Sequence, residues 1–376
     1  MAPIQPSQDS LDRRKVVGIN PETVTNITST DFPNHHAGED LSWSLKRFSE
    51  NLKIQFHQNE KLEATFSLIG VDAAIANAFR RILIAEVPTL AIEKVYVQNN
   101  TSVIADEVLA HRLGLIPLKG SLEGLKWLKW FIEANPDYGF DGMERTDYNT
   151  VVLNLNVKCE RNPHADKNAT EPEEKYINSS VYSRHITWEK QGLQGQQFAD
   201  GPIEPVSPDI LIAKLRPGQE LDMILHAHLG KGADHAKFSP VATATYRLLP
   251  TITITKPILG ADAIKFQKCF PPGVIGLERV TAKEADSDDP TLAVYRGRQG
   301  DEKAVVKDAM RDTVSRECLR HDEFKDKVKL GRVQDHFIFN IESTGQFPSD
   351  MLFVDAVSVL KYKAKRLLRA LDAVEK

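Results

Sequence analysis

Apolar residues that alternate with polar ones predict β-strands in several parts of the chain. Residues 52–70 alternate on either side of a polar turn, which predicts a β-hairpin. Residues 90–100 and 150–160 show the same alternation and predict single strands. Short alternating runs, separated by Gly and Pro turns, continue from 180 to 255. This region is therefore expected to form a mostly antiparallel β domain.

Apolar residues that recur every three or four positions predict amphipathic helices. One helix is expected to begin after Asp72, which can cap its first turn, and to end before Pro88. Its apolar face comprises Ile75, Ala78, Phe79, Ile82 and Leu83. A long helix is expected from Ser349 to the end of the sequence. Its apolar stripe comprises Leu352, Phe353, Ala356, Leu360, Ala364, Leu367, Leu368 and Leu371. The charged stretch 301–329 is also expected to be helical.

A short helix predicted around residues 105–113 carries charges that raise the question of chemistry. Its apolar side comprises Ile104, Ala105, Val108, Leu109 and Leu113, and Gly114 is expected to cap it in the left-handed conformation. Its polar side carries Asp106, Glu107, His111 and Arg112. These could form an acid–base site, half of a metal site or a solvated face. A zinc-binding helix needs two histidines four positions apart. Only one is present, so a solvated face is favoured.

Three histidines are the best candidates for a metal site elsewhere in the chain. His226 and His228 are two positions apart, so both would point from one face of a strand, and His235 follows a glycine turn. Zinc hydrolases add carboxylates or further histidines to such a pair. Asp234 is the only acid in the stretch. The alternative is a strand and turn whose polar groups fix the turn or meet a partner.

Two groups of cations lie beside apolar residues. Arg80 and Arg81 belong to a helix that is otherwise apolar enough to be buried, so at least one of them is expected to leave the core. It could anchor a partner's carboxylates or extend to solvent at the rim. Trp127 and Trp130 are interleaved with lysines. They could stack single-stranded bases, but inward packing is the favoured interpretation.

Composition limits the class of protein. The chain has 376 residues, enough for two or three domains, and a net charge of −4, so no strong overall field attracts nucleic acid or a membrane. Cys159, Cys269 and Cys318 are far apart, and no CxxC motif occurs, which excludes a four-cysteine metal site and suits a reducing compartment. No signal sequence or long apolar run is present, so a soluble intracellular protein is expected.

Several blocks of the sequence resemble one family. Residues 77–118, which contain DEVLAHRLGLIPL, resemble the signature region of the α-like assembly subunits of cellular RNA polymerases, and 235–240 (HAKFSP) resembles a second block. Residues 31–43 and 324–343 resemble the larger α-like subunit shared by eukaryotic RNA polymerases I and III. The resemblance covers most of the chain from about residue 30.

The resemblance implies an α+β fold. Its core would be a discontinuous RNA polymerase α-like dimerisation domain, with an inserted mostly antiparallel β domain and a ferredoxin-like subdomain without a cluster. The expected segments are an extended N-terminal arm at 1–50, the dimerisation domain at 51–119 and 333–376, the inserted β domain at 120–261 and the ferredoxin-like subdomain at 262–332. Some relatives bind zinc or an iron–sulfur cluster through cysteines. Cys269 has no companions at ligand spacing, so neither a metal nor a cofactor is expected.

The resemblance also implies a function. The chain would be a non-catalytic scaffold common to RNA polymerases I and III, supporting transcription of ribosomal RNA, 5S RNA and tRNA genes in the nucleus, including the nucleolus. It would pair with a smaller α-like subunit, then dock the second-largest catalytic subunits and small zinc-binding common subunits. It would meet DNA and RNA only through the complex, and no membrane.

The resemblance assigns two interfaces to residues of this sequence. The expected contacts with a large subunit are Arg80, Arg81, His235 and Lys237. The expected contacts with the α-like partner are Phe79, Ile82, Leu83, Leu109, Leu113, Phe353, Leu360, Leu367 and Leu371. The competing hypotheses are the equivalent subunit of RNA polymerase II or an archaeal enzyme, a metal-dependent hydrolase using His226, His228 and His235, and a stand-alone RNA-binding protein.

Overall fold

The computed structural model describes residues 15–26, 42–133, 141–166, 170–285 and 294–374. Residues 31–41, which carry most of the N-terminal motif, lie outside them. The chain divides into two compact units. The first comprises Met1–His57, Thr65–Ala76 and Tyr246–Phe339, and the second comprises Gln58–Ala64, Asn77–Thr245 and Asn340–Lys376. The five segments expected from the sequence stay a prediction.

The fold mixes helices with antiparallel strand pairs, as expected of an α+β protein. The strands are β1 (Val16–Ile19), β2 (Val24–Thr25), β3 (Lys53–Asn59), β4 (Glu63–Ile69), β5 (Thr89–Asn100), β6 (Leu118–Lys119), β7 (Val151–Lys158), β8 (Glu160–Arg161), β9 (Tyr176–Ile177), β10 (Ser180–Tyr182), β11 (Ile186–Glu189), β12 (Glu204–Pro205), β13 (Leu211–Lys214), β14 (Glu220–Gly230), β15 (Val241–Ile254), β16 (Ile275–Arg279), β17 (Glu302–Val306) and β18 (Val328–Ser343). The helices are α1 (Leu45–Asn51), α2 (Ala73–Ala85), α3 (Asp106–Gly114), α4 (Leu122–Trp127), α5 (Pro172–Lys175), α6 (Gln194–Gln197), α7 (Ala261–Lys268), α8 (Ala282–Ala285), α9 (Asp322–Lys325) and α10 (Ser349–Val374).

The first unit is organised by a sheet with the strand order β2-β1-β18-β4-β3, in which β15 also pairs with β18. The neighbouring strands β3 and β4 confirm the hairpin predicted at 52–70. A core around α7 packs against this sheet, since one cluster joins Ile19, Ile252 and Leu330 to the side chains of α7. Within it the Phe266 ring is 5.0 Å from that of Phe270 and 5.2 Å from that of Phe324.

The helix predicted over 301–329 is wrong. Residues Glu302–Val306 form β17, which pairs antiparallel with β16, and the stretch then contains short helical turns before β18 begins at Val328. The strand carries the β-branched pair Val305 and Val306, residues that favour extended backbone. A short apolar run of this kind fits either a strand or a helix, and the pairing with β16 decides it.

The second unit contains a four-stranded sheet with the order β11-β7-β14-β5, in which every neighbouring pair is antiparallel. β5, β7 and β14 confirm the strands expected there. The run at 180–189 is not one strand, because a 3₁₀ turn at Ser183–His185 separates β10 from β11. β10 pairs with β13 instead, while β11 joins the four-stranded sheet.

Two helix ends in the chain differ in how the sequence specifies them. Asp72 caps α2 as predicted, because its Oδ1 accepts a hydrogen bond from the Ala74 amide at 2.7 Å. Gly114 does not cap α3 in the left-handed conformation. It is buried inside the last turn, and Leu115 ends the helix with right-handed angles. A Cβ at Gly114 would lie 3.3 Å from the Ile92 carbonyl oxygen, so glycine allows close packing on β5 rather than a turn.

The buried amide of Gln346 fixes the approach to α10. Its Oε1 accepts a hydrogen bond from the Leu90 amide at 3.1 Å, and its Nε2 donates to the carbonyls of Leu90 at 3.0 Å and Leu118 at 2.5 Å. Ser349, the first residue of α10, donates from Oγ to the Glu60 carbonyl at 2.7 Å. The start of α10 is therefore held by polar contacts as well as by its apolar face.

Candidate partner-binding surfaces

The charged residues of α3 tie together neighbouring segments. Asp106 accepts a hydrogen bond from Asn100 Nδ2 at 2.6 Å. Arg112 donates to the carbonyls of Leu211 at 2.8 Å and Ile212 at 3.2 Å. These side chains are exposed, as expected of a solvated face, but their hydrogen bonds give Asp106 and Arg112 a structural role. Val108 is not on the buried side as predicted, since half of it is exposed.

The three candidate histidines do not converge. His226 and His228 lie side by side on β14, with ring centroids 6.5 Å apart, whereas the His235 ring faces His111 at 6.0 Å. The His226 ring contacts Tyr96 at 4.8 Å, and the His228 ring stacks on Phe131 at 4.4 Å. Throughout the described part of the chain, no group of three or more His, Cys, Asp or Glu side chains could hold a metal ion.

Burial controls the charge of the histidine pair. It lowers the pKa of both His226 and His228, and the positive charge of Arg145 lowers each further. The guanidinium of Arg145 lies over the rings of Tyr96 and Phe131, at 5.4 and 5.9 Å from their centroids. Burial and this positive charge therefore both favour the neutral form of the two imidazoles, which pack against the rings of Tyr96 and Phe131. These contacts are packing contacts, and none of them favours a metal-dependent hydrolase.

The four residues expected at a large-subunit interface differ in exposure. Arg81 and His235 are exposed. Arg80 is half-buried, and its Nε and Nη2 donate to Asn77 Oδ1 at 3.1 and 2.9 Å. Lys237 is largely buried, and its ammonium lies 2.5 Å from Glu93 Oε2. Arg81 and His235 are thus the two whose side chains are open to a partner.

The residues expected at the α-like interface separate into two classes. Those that are buried in the core of this chain are Phe79, Ile82, Leu83, Leu109, Leu113 and Phe353. Phe79 meets Phe353 edge to face, with centroids 5.2 Å apart, which joins α2 to the first turns of α10. Leu360 is half-buried, while Leu367 and Leu371 are 64% and 53% exposed. Only the second class can contact a partner without opening the core.

The exposed part of α10 carries a longer apolar stripe than the residues assigned from the resemblance. The residues Val357, Leu368 and Val374 are also exposed. Val357 and Val374 extend the spacing of three and four that runs through Leu360, Leu367 and Leu371, so the pattern could have identified them from the sequence. A stripe of this length in solvent marks a surface for another protein.

A groove of about 670 Å³ lies on the second unit, bounded by α4, α10 and the segment that leads from α2 into β5. Its floor includes Leu90, Leu125, Leu128 and Phe347, all buried, and its rim carries Lys126, Lys231, Lys363 and Arg366. Asp355 lies in the wall, where burial raises the pKa of its carboxyl and the charge of Lys126 opposes that shift. Sequence reasoning missed this groove because its walls come from segments far apart in the chain.

Trp127 and Trp130 differ in exposure, and only Trp130 lines the groove. Trp127 is half-buried in α4, in line with inward packing, whereas Trp130 is 40% exposed and lines the groove. The ammonium of Lys231 lies 5.4 Å from the Trp130 ring centroid. That face of the indole is thus already met by a cation of the same chain, which makes it a poor platform for stacking a base.

No helix in the described ranges is both long and apolar enough to cross a membrane.

Comparison with known proteins gives a consistent result. The model of the family described as RNA polymerase Rpb3/Rpb11 dimerisation domain matches residues 65–364. A Saccharomyces cerevisiae protein named DNA-directed RNA polymerases I and III subunit RPAC1 is 51% identical over 352 residues, which cover 94% of this chain and 97% of that protein. The Homo sapiens protein of the same name is 45% identical over 373 residues, covering 98% and 99%. An Arabidopsis thaliana protein named DNA-directed RNA polymerases II, IV and V subunit 3 is 30% identical over 330 residues, covering 86% and 92%.

Proposed function

The chain belongs to the RNA polymerase Rpb3/Rpb11 dimerisation domain family, and we propose that it is the larger α-like subunit shared by RNA polymerases I and III. The observation that carries this choice is the difference in identity between two groups of relatives. Proteins named as subunits of polymerases I and III are 51% and 45% identical, whereas a protein named for polymerases II, IV and V is 30% identical. The polymerase II alternative is therefore the less favoured one.

In this role the chain is a non-catalytic scaffold that pairs with a smaller α-like subunit. The exposed stripe of α10, Leu360, Leu367 and Leu371 with the adjoining apolar residues, is the proposed contact. The buried residues that were expected at this interface support it indirectly, because Phe353 packs on Phe79 and so fixes α10 against α2. Pairing would cover apolar surface that otherwise stays in water.

The proposed contact with the second-largest catalytic subunits uses the exposed residues Arg81 and His235. Arg80 and Lys237 would support this surface without contacting the partner, because Arg80 is hydrogen-bonded to Asn77 and Lys237 forms an ion pair with Glu93. An arginine on a rigid helix can hold a partner's carboxylate with two parallel hydrogen bonds. Small zinc-binding common subunits would complete the assembly in the nucleus, including the nucleolus, and nucleic acid would be reached only through the complex.

The finer fold assignments belong to the same proposal. Residues 51–119 and 333–376 would form the dimerisation domain, 120–261 an inserted β domain and 262–332 a ferredoxin-like subdomain without a cluster. The paired strands β16 and β17 and the phenylalanine side chains around α7 support the last of these, and its core continues into Ile19, Ile252 and Ile258 outside that range. Its stability would come from that core, because Cys269 and Cys318 are free thiols.

Affinity purification of the tagged chain from its own cells, with identification of the co-purifying proteins, tests the proposal. We expect the large subunits of both polymerases I and III, together with a smaller α-like subunit. Recovery of polymerase II subunits alone would place the chain in the other branch of the family. Recovery of the chain alone with stoichiometric metal would overturn the scaffold role and favour the hydrolase.

A further inference from the structure

The groove between α4 and α10 points to a second docking surface, separate from the apolar stripe of α10. An α-helix advances about 100° per residue, so Leu360, Leu367 and Leu371 share one side of α10. Val359, Tyr362 and Arg366, which line the groove, are centred roughly 120° away around the helix axis. A partner that covers the stripe therefore leaves open the side of the groove that these three residues form.

The side chains that line the groove determine which kind of partner it can bind. Four cations, Lys126, Lys231, Lys363 and Arg366, surround a floor of buried leucine and phenylalanine side chains. Only two carboxylates line the same groove, and one of them, Glu86, is already held by Lys363 at 2.7 and 2.9 Å. The cations are concentrated here although the whole chain has a net charge of −4.

We propose that this groove binds a short acidic, amphipathic segment of a partner protein. One or two large apolar side chains of the segment fill the groove, and carboxylates on either side of them face Lys126, Lys231 and Arg366. The volume of about 670 Å³ lies within the range of roughly 300 to 1,000 Å³ that is usual for sites that enclose a ligand. The exposed rings of Trp130 and Tyr362 provide contact area of the kind found at protein interfaces.

Two other classes of occupant fit less well. The phosphates of a nucleic acid would pair with the cations of the rim but would leave the apolar floor of the groove without a partner. A membrane surface needs protruding apolar groups, whereas Leu90, Leu125 and Phe347 are recessed and buried.

A photo-crosslinking amino acid at Ser358 tests the proposal inside assembled complexes, because Ser358 lines the groove and is exposed. This inference rests on the proposed function, because that function supplies the complexes in which the partner of the groove is sought. We expect crosslinking to one polypeptide other than the smaller α-like subunit, at a segment with at least two carboxylates within about one helical turn of the crosslinked residue. The double substitution Lys126→Glu and Arg366→Glu should lower the yield about tenfold by reversing two rim charges.

The matched control is the double substitution Lys365→Glu and Arg369→Glu, which also reverses two charges but at exposed residues of α10 that do not line the groove. It should leave the yield within about twofold of the unsubstituted chain, since exposed isolated charges contribute little. Ser358→Trp provides a second test without any charge change. With the crosslinker placed at Tyr362, filling the groove with an indole should abolish the crosslink, while the thermal unfolding midpoint stays unchanged.

Crosslinking to the smaller α-like subunit, to nucleic acid or to a segment without carboxylates would overturn the proposal. So would the absence of any crosslinked polypeptide from intact complexes. Failure of the polymerase subunits to co-purify is a separate result, because it contradicts the proposed function. A crosslink to an acidic segment of another protein would in that case still support the groove.

Discussion

The two halves of α10 continue one apolar pattern in opposite surroundings. Leu352, Phe353 and Ala356 are buried in the core of the second unit, whereas Leu367 and Leu371 are mostly exposed. The spacing of three and four residues does not change between the two halves. An amphipathic period therefore reports that one face of a helix will be covered, but not whether the cover comes from the same chain.

The largest effect should separate the two halves by stability. Leu352→Ala removes a side chain with no exposed surface, and such a cavity lowers the free energy of unfolding by about 3 kcal/mol. Leu367→Ala, the matched change in the exposed half, should alter it by less than about 0.5 kcal/mol. Urea denaturation of the isolated chain measures both. Equal losses would show that the exposed half packs against its own chain in solution.

For the second effect the exposed half of α10 is the sensitive one, because the effect concerns binding of a partner and not stability of the fold. Leu367→Asp places a charge in the proposed contact with the smaller α-like subunit, and we expect the dissociation constant to rise about 30-fold or more, equivalent to roughly 2 kcal/mol. Titration of the purified partner measures it. Lys365→Asp is the control on the same helix and should change the constant by less than threefold. A partner that binds the Leu367→Asp chain normally would exclude this stripe as the interface.

A third effect, of similar size, concerns what holds the buried half in place. Gln346→Leu leaves the amide of Leu90 and the carbonyls of Leu90 and Leu118 without their side-chain partner. Buried groups left unsatisfied in this way lower stability by about 2 kcal/mol. The thermal midpoint should fall accordingly, whereas Gln196→Leu, at an exposed position, should leave it nearly unchanged. An unchanged midpoint in the Gln346→Leu chain would mean that apolar packing alone holds this end of α10.

The smallest effect depends on pH and on Asp355, which lies in the buried half of α10. Burial raises the pKa of Asp355 in the folded chain above its unfolded value. The folded state therefore keeps the proton at pH values where the unfolded state has lost it, and stability falls as pH rises through that window. Asp355→Asn should be slightly more stable than the unsubstituted chain at pH 7, by less than any change described above. The gain should vanish below the unfolded pKa, near pH 4.

Urea midpoints between pH 3 and pH 7 follow this difference. A variant that is less stable at pH 7 would show that the attraction between Lys126 and Asp355 outweighs the burial of the carboxyl.

Long periodic elements of this fold could be predicted from the sequence, and short ones could not. The hairpin of β3 and β4, the strands β5 and β7, and α10 each repeat their pattern over enough residues to exclude the other period. β17 has five residues, too few to distinguish a strand from a helix without its partner β16. Gly114 satisfied a local rule for helix ends, but the close approach of Ile92 is a tertiary contact that no local rule contains.

The candidate surfaces show the same limit. The sequence identified apolar faces that include both Leu113 and Leu371, yet one is buried and the other exposed, because only the folded chain determines which face meets the core. It also placed His226 and His228 on one face of a strand, but could not show that His235 turns to His111 instead. The groove could not be found at all, since Leu90, Leu125 and Phe347 meet only after folding.

The hydrogen bond from the Leu90 amide to Gln346 gives the molecule a built-in reporter. That amide exchanges with solvent deuterium when this hydrogen bond opens, as it does whenever the segment leading into α10 moves away from β5. Its protection factor therefore sets an upper limit on how often that segment detaches. A partner bound to the far, exposed turns of α10 should slow exchange at Leu90, many residues away in sequence, and so make assembly visible at a single backbone position.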